Sequence, residues 1–154
     1  MKHMLFVCCA LLLAPIPAGA QHSAADFVGT WELLSIEARS ETGDWGPWES
    51  PLPGKPVGIL MYDNLGNMAV QITSSPRGTA TPAEQPEILN GYVAYYGKYE
   101  VDTIAGTVTH HRQNHLNPEI GGLSVVRYFS FDGDVLTLTL APQRTLRLHW
   151  ARAR

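Results

Sequence analysis

Beyond residue 9 the chain contains no cysteine, and the two it has, Cys8 and Cys9, sit close to its start. A domain built from the rest can form neither a disulfide nor a thiolate metal site, so its own core must stabilise it. Charge is scarce as well. Acidic and basic residues make up 16% of the 154 residues against 45% hydrophobic, which excludes disorder as a global description. The formal charge of −3 is spread without long runs of either sign. There is no basic stripe with interleaved aromatics, so nothing points to nucleic acid, and no cationic amphipathic helix for a membrane surface. A Gly-rich phosphate loop, a Gly-x-Ser-x-Gly nucleophile elbow and paired carboxylates at a recognisable spacing are also missing.

What is present begins with an N-terminal segment that does not belong to the fold. Lys2 and His3 precede an apolar run from Met4 to Ala14, Pro15 and Pro17 break it, and Ala18-Gly19-Ala20 supplies small residues for cleavage. Residues 1–20 therefore read as a secretory signal peptide, with export to the periplasm or beyond. The run is shorter than the roughly 20 residues a membrane span needs, so no integral membrane segment is expected in the mature chain. A lipoprotein cysteine would follow such a run, whereas Cys8 and Cys9 lie inside it. Residues 21–154 form one domain, large enough to bury roughly two-thirds of its unfolded surface.

Along that domain, short alternating or β-branched runs are separated by Gly, Pro, Asn and Asp, the pattern of an antiparallel sandwich or barrel. About eight strands are expected: Gly29 to Glu37, Val57 to Tyr62, Asn67 to Thr73, Gly97 to Asp102, Gly106 to Arg112, Leu123 to Phe131, Val135 to Leu140 and Thr145 to Ala151. Asp63-Asn64-Leu65-Gly66 and Asp132-Gly133-Asp134 are hairpin signals. Ser74 to Gln85 reads as a loop, and one short helix is expected after it, from Pro82 through Ile88, Leu89, Tyr92 and Val93. Eight meandering strands with one apolar face close into an all-β, antiparallel up-and-down barrel whose interior holds one small ligand.

The segment Phe27-Val28-Gly29-Thr30-Trp31-Glu32-Leu33 resembles the lipocalin signature, a Gly-x-Trp opening the first strand. Gly91 to Val101, Thr107 to His111, Leu116-Asn117-Pro118, Val126 to Phe129 and Leu136-Thr137-Leu138 resemble, in order, the bacterial and fungal lipocalin-like domain family. The resemblance implies a calycin-type barrel whose closed end is formed by Gly29, Trp31 and a basic residue on the last strand, to which Arg152 corresponds. A guanidinium over the indole contributes about 0.5–2 kcal/mol. The family's usual disulfide is absent, and the loop and helix interrupt the middle strands, so ligand classes of animal lipocalins do not carry over.

Candidate site residues follow from alternation. His110 shares a face with Val108 and points inward; a lone inward His is either a hydrogen-bonded core residue or a general acid–base. His110, His111 and His115 cluster, but neighbours on a strand face opposite ways and the spacing matches no zinc pattern, so no metal is expected. Tyr99 either lines the barrel or orients a ligand carbonyl. Arg127 faces inward if Val125, Phe129 and Phe131 do, and would then need a carboxylate or an anionic ligand group; if Val126 and Tyr128 face inward, it is solvated. Tyr92, Tyr95 and Tyr96, with Trp45 and Trp48, are candidates for an aromatic mouth.

Two functions stand at this point. One is a carrier that takes a small apolar or amphipathic molecule into the barrel; the other is a cofactor-independent isomerase or cyclase using His110, Tyr99 and Arg127 in the same cavity. Neither requires a cofactor. Export predicts that protein recovered outside the cytoplasm begins at Gln21 by intact-mass measurement. Finding Met1 to Ala20 still attached there would contradict it.

Overall fold

The computed structural model describes residues 22–49, 54–75 and 91–154. Among these residues nine strands follow one another: β1 (Gly29–Arg39), β2 (Trp45–Pro47), β3 (Lys55–Tyr62), β4 (Asn67–Ser75), β5 (Val93–Asp102), β6 (Thr107–His115), β7 (Ser124–Asp132), β8 (Val135–Leu140) and β9 (Leu146–Arg152). From β3 to β9 each strand is hydrogen-bonded to its sequence neighbours, and β1 pairs with both β3 and β9. The result is the closed eight-stranded antiparallel up-and-down barrel expected from the sequence. The ninth strand, β2, is a three-residue ribbon on Glu37, Ala38 and Arg39 of β1. It lies between Glu37 and Val57, where no strand was expected from the sequence.

The helix expected after Pro82 falls mostly on residues outside those described. At its far end Val93 opens β5, so the strand begins four residues before the expected Gly97. Among the described residues the only helical pieces are two 3₁₀ turns, Ala24–Phe27 and Pro118–Ile120. The turns carry the chemistry their sequences announce. Asp63 Oδ1 accepts hydrogen bonds from the backbone N–H groups of Leu65 and Asn67, both at 2.8 Å, and Asp102 does the same for Ile104 and Ala105.

Two irregularities keep apolar side chains facing the core. Strict alternation from Trp31 and Leu33 would turn Ile36 outward. The register between β1 and β9 shifts between Leu33 and Ser35; this bulge turns Ser35 outward and returns Ile36 to the interior. A second shift opposes Tyr96 and Gly97 of β5 to Asn114 and Arg112 of β6, leaving Gln113 as the extra residue. There the strands approach so closely that a Cβ on Gly97 would sit 2.0 Å from the His111 carbonyl oxygen.

The closed end is an aromatic plug. Phe27 packs edge-on against Tyr62, Phe129 and Phe131, at centroid separations of 5.6, 5.0 and 5.2 Å. Trp31 is fully buried, and its indole N–H donates to the Phe27 carbonyl at 2.8 Å. Arg152 lies 4.2 Å above the Trp31 ring and donates to the carbonyls of Val28 and Asp26. Gly29, at φ 141°, leaves no room for a side chain, because a Cβ would meet Arg152 Nη1 at 2.7 Å. The contact proposed by resemblance is thus present: the guanidinium is held by the chain ends it closes over.

On the outer wall, closure brings β1, β9 and β8 into one polar cluster. Glu37 accepts hydrogen bonds from Arg147 and His149, and His149 Nδ1 pairs with the Thr137 hydroxyl at 2.9 Å. Both partners hold the Glu37 carboxyl below its usual range.

The close approach at Gly97 makes a test of register. Gly97→Ala is expected to destabilise at or above the upper end of the roughly 1–3 kcal/mol typical of overpacking. Gly46→Ala, where nothing lies within 4 Å, should stay within about 0.5 kcal/mol. Urea titration followed by tryptophan fluorescence measures both.

Candidate functional site

Above the aromatic plug the barrel holds a cavity of about 320 Å³. Its floor is Leu60, Val70, Leu138 and Trp150, each no more than 3% exposed. Ile36, Ile72, Leu140, Leu146 and Leu148 continue the apolar wall upward, and Trp48, Pro56, Gly91 and Val93 form the rim. Polar groups are few: Thr73, Ser74, Tyr95, His110 and Arg127. Apolar walls with a small number of placed polar groups are the usual composition of small-molecule sites, and the volume lies at the lower end of their roughly 300–1,000 Å³ range.

His110 comes inward from β6, as alternation with Val108 requires, and is 2% exposed. Both ring nitrogens are engaged. Nε2 is 2.6 Å from the Tyr62 hydroxyl and Nδ1 is 2.9 Å from the Tyr95 hydroxyl. A neutral imidazole offers one donor and one acceptor, so one tyrosine donates to it and the other accepts from it. Burial, reinforced by the positive charges of Arg127 and Arg112, depresses the His110 pKa to about 3. The same burial raises the hydroxyls of Tyr62 and Tyr95 above their ordinary value. All three groups are therefore uncharged at neutral pH.

The two readings of Arg127 are now resolved. Val125, Phe129 and Phe131 face inward with it, whereas Val126 is exposed. Tyr128 faces outward beneath Arg144, 3.9 Å above its ring. Arg127 lines the cavity near Tyr95 and His110, and its charge reaches both.

The remaining candidates are not brought to the cavity. Tyr99 is buried, but it packs on Tyr62 at 4.6 Å and donates to the Asp63 carbonyl at 2.9 Å, inside the closed end. Tyr96 is 53% exposed on the outer wall. Tyr92 donates to Gln71 Oε1 at 2.8 Å, also outside. Of the mouth aromatics, Trp48 and Tyr95 line the cavity, while Trp45 lies outside beneath Arg147, 4.3 Å from its ring. Of the three histidines only His110 enters. His111 faces outward to Ser124 at 2.8 Å, and His115 stacks on the Tyr95 ring at 5.5 Å.

Sequence reasoning missed Tyr62, and it placed Tyr95 at the mouth without pairing it to His110. Tyr62 carried a weak signal, because it alternates with Leu60 and so faces inward. Nothing local, however, indicates that β3 and β6 meet across the barrel.

The buried imidazole has a consequence for pH. Its folded pKa, about 3, lies below the ordinary 6.5, so between those values the unfolded chain takes up a proton that the fold refuses. Stability therefore falls as pH drops from 6.5 toward 3, with a slope of up to about 1.4 kcal/mol per pH unit. His115, depressed in the same direction, adds to it. Glu37 contributes only below its ordinary 4.5. His110→Gln is expected to flatten the slope between pH 6.5 and 4.5 in urea titrations; an unchanged slope would refute this account.

No curated protein is recognisably similar to the chain in sequence. A family profile described as lipocalin-like domain matches residues 28–153, from the residue before the Gly-x-Trp of β1 to the one after Arg152. With the closed barrel and the Trp31–Arg152 contact already in view, that match, over most of the chain, means that the protein belongs to the lipocalin-like domain family.

Proposed function

We propose that this protein is an exported carrier that takes a small apolar or amphipathic molecule into the barrel. The observation that carries the reading is the cavity: an apolar space inside a closed barrel, with His110 and Arg127 among its few polar groups. Burying apolar ligand surface there yields roughly 25 cal/mol per Å² removed from water. Export rests on the composition of residues 1–20.

Acid–base catalysis fits the same wall less well. A general base near neutral pH needs a pKa close to the working range and a free nitrogen. His110 has neither, since its pKa is about 3 and both nitrogens are hydrogen-bonded. The Tyr62–His110–Tyr95 chain acts instead as a polar brace that fixes the cavity wall.

Saturable one-to-one uptake of a small apolar fluorophore such as 2-naphthol is the expected result. Leu148→Trp, which fills the cavity from β9, should abolish uptake while leaving the far-ultraviolet circular dichroism unchanged. Fluorophore binding that survives this substitution would show that the cavity is not the site. Native mass spectrometry of protein from its own host then identifies the ligand.

A further inference from the structure

The cavity wall contains a cation that no described carboxylate faces. The other described arginines are accounted for by neighbours. Arg147 binds Glu37, Arg152 binds two carbonyls and the Trp31 face, and Arg154 faces Asp134. Arg39 binds the Gly43 carbonyl, Arg112 the Leu123 carbonyl, and Arg144 covers Tyr128. Arg127 has no carboxylate within ion-pair distance among the described residues. Its one backbone contact is Nη1 donating to the adjacent Val126 carbonyl at 3.3 Å.

A guanidinium offers five donors in a planar fork that matches a carboxylate in two parallel hydrogen bonds. Holding such a group against apolar walls without a counter-ion is costly. The wall beside it holds neutral groups, the imidazole of His110 and the hydroxyl of Tyr95, so the site presents a single positive charge. Arg112 lies 5.6 Å from the Tyr95 ring and is not among the cavity-lining residues.

We propose, building on the carrier reading above, that the ligand is a monoanionic apolar acid whose carboxylate pairs with Arg127 and whose tail rests on Leu60, Leu138 and Trp150. Arg127 pairs across the sheet with Leu140, at the end of β8, while Leu60, Leu138 and Trp150 are the deeply buried floor. The molecule therefore enters tail first and keeps its charged end on the wall. One guanidinium neutralises one carboxylate; a phosphate dianion would leave an uncompensated negative charge in the same apolar space. A cavity of about 320 Å³ is about twice the roughly 150 Å³ that accommodates a benzene ring, so a ligand of about a dozen heavy atoms fits.

Calorimetry with the full mature protein and three probes of one chain length, decanoate, decan-1-ol and decyl phosphate, tests this. Decanoate is expected to bind at least tenfold more tightly than the alcohol and more tightly than the phosphate. Arg127→Leu should erase the advantage of the acid while leaving the alcohol bound as before, which also shows that the variant is folded. Arg127→Lys should restore part of the advantage. Equal affinity for acid and alcohol in the unaltered protein, or preference for the phosphate, would overturn the head-group assignment and leave cavity binding intact. Binding of none of the three would overturn both.

Discussion

Everything in this molecule depends on β1 being hydrogen-bonded on both of its edges. Its first residues, Gly29 to Glu32, pair with β3, and Trp31 to Ala38 pair with β9. That double pairing turns an eight-stranded meander into a closed barrel and removes the edges that an open sheet would expose. It also makes neighbours of the first and last strands. Arg152 on the last strand can cover Trp31 on the first only because closure sets them opposite each other in register, and the polar cluster of Glu37, Arg147, His149 and Thr137 exists for the same reason.

Closure creates an interior, and the side chains divide it. Below, Phe27, Trp31, Tyr62, Phe129 and Phe131 fill the space with aromatic volume. Above, most of the inward residues are aliphatic, among them Ile36, Leu60, Val70, Ile72, Leu138 and Leu148, and the barrel stays open. The boundary between plug and cavity is crossed by one polar construction, Tyr62–His110–Tyr95, in which both ring nitrogens of His110 have a partner and none of the three groups carries charge. Arg127 stands beside it as a charged group that no described carboxylate faces, and that contrast gives the cavity a direction.

Much of the barrel was legible in the residues. Alternation marks Leu136, Leu138 and Leu148 as inward, and Asp63-Asn64-Leu65-Gly66 announces its hairpin through a side chain that caps its own turn. The start of β5 was not legible, because Tyr92 and Val93 fit helical spacing as well as a strand edge. The short strand β2 escaped notice since Trp45-Gly46-Pro47 has no period of its own; its pairing with Glu37 to Arg39 creates it. Tyr96 and Tyr92 carry the same aromatic signal as Tyr95, yet the faces of β5 and its preceding turn place them outside the cavity.

The sequence by itself determined the class of fold, the inward face of most strands and the inward position of His110, and its resemblance to a known family indicated the Gly29, Trp31 and Arg152 closed end. The faces are properties of local periodicity, decided within one strand. Tertiary structure alone decided which partners His110 has, that Tyr99 belongs to the plug, and that Arg127 faces the cavity with no carboxylate beside it among the described residues. The physical reason is that each of these depends on strands distant in the chain meeting across the barrel, at a register that two bulges shift by one residue. Period-two patterning specifies a face; it does not specify what lies opposite.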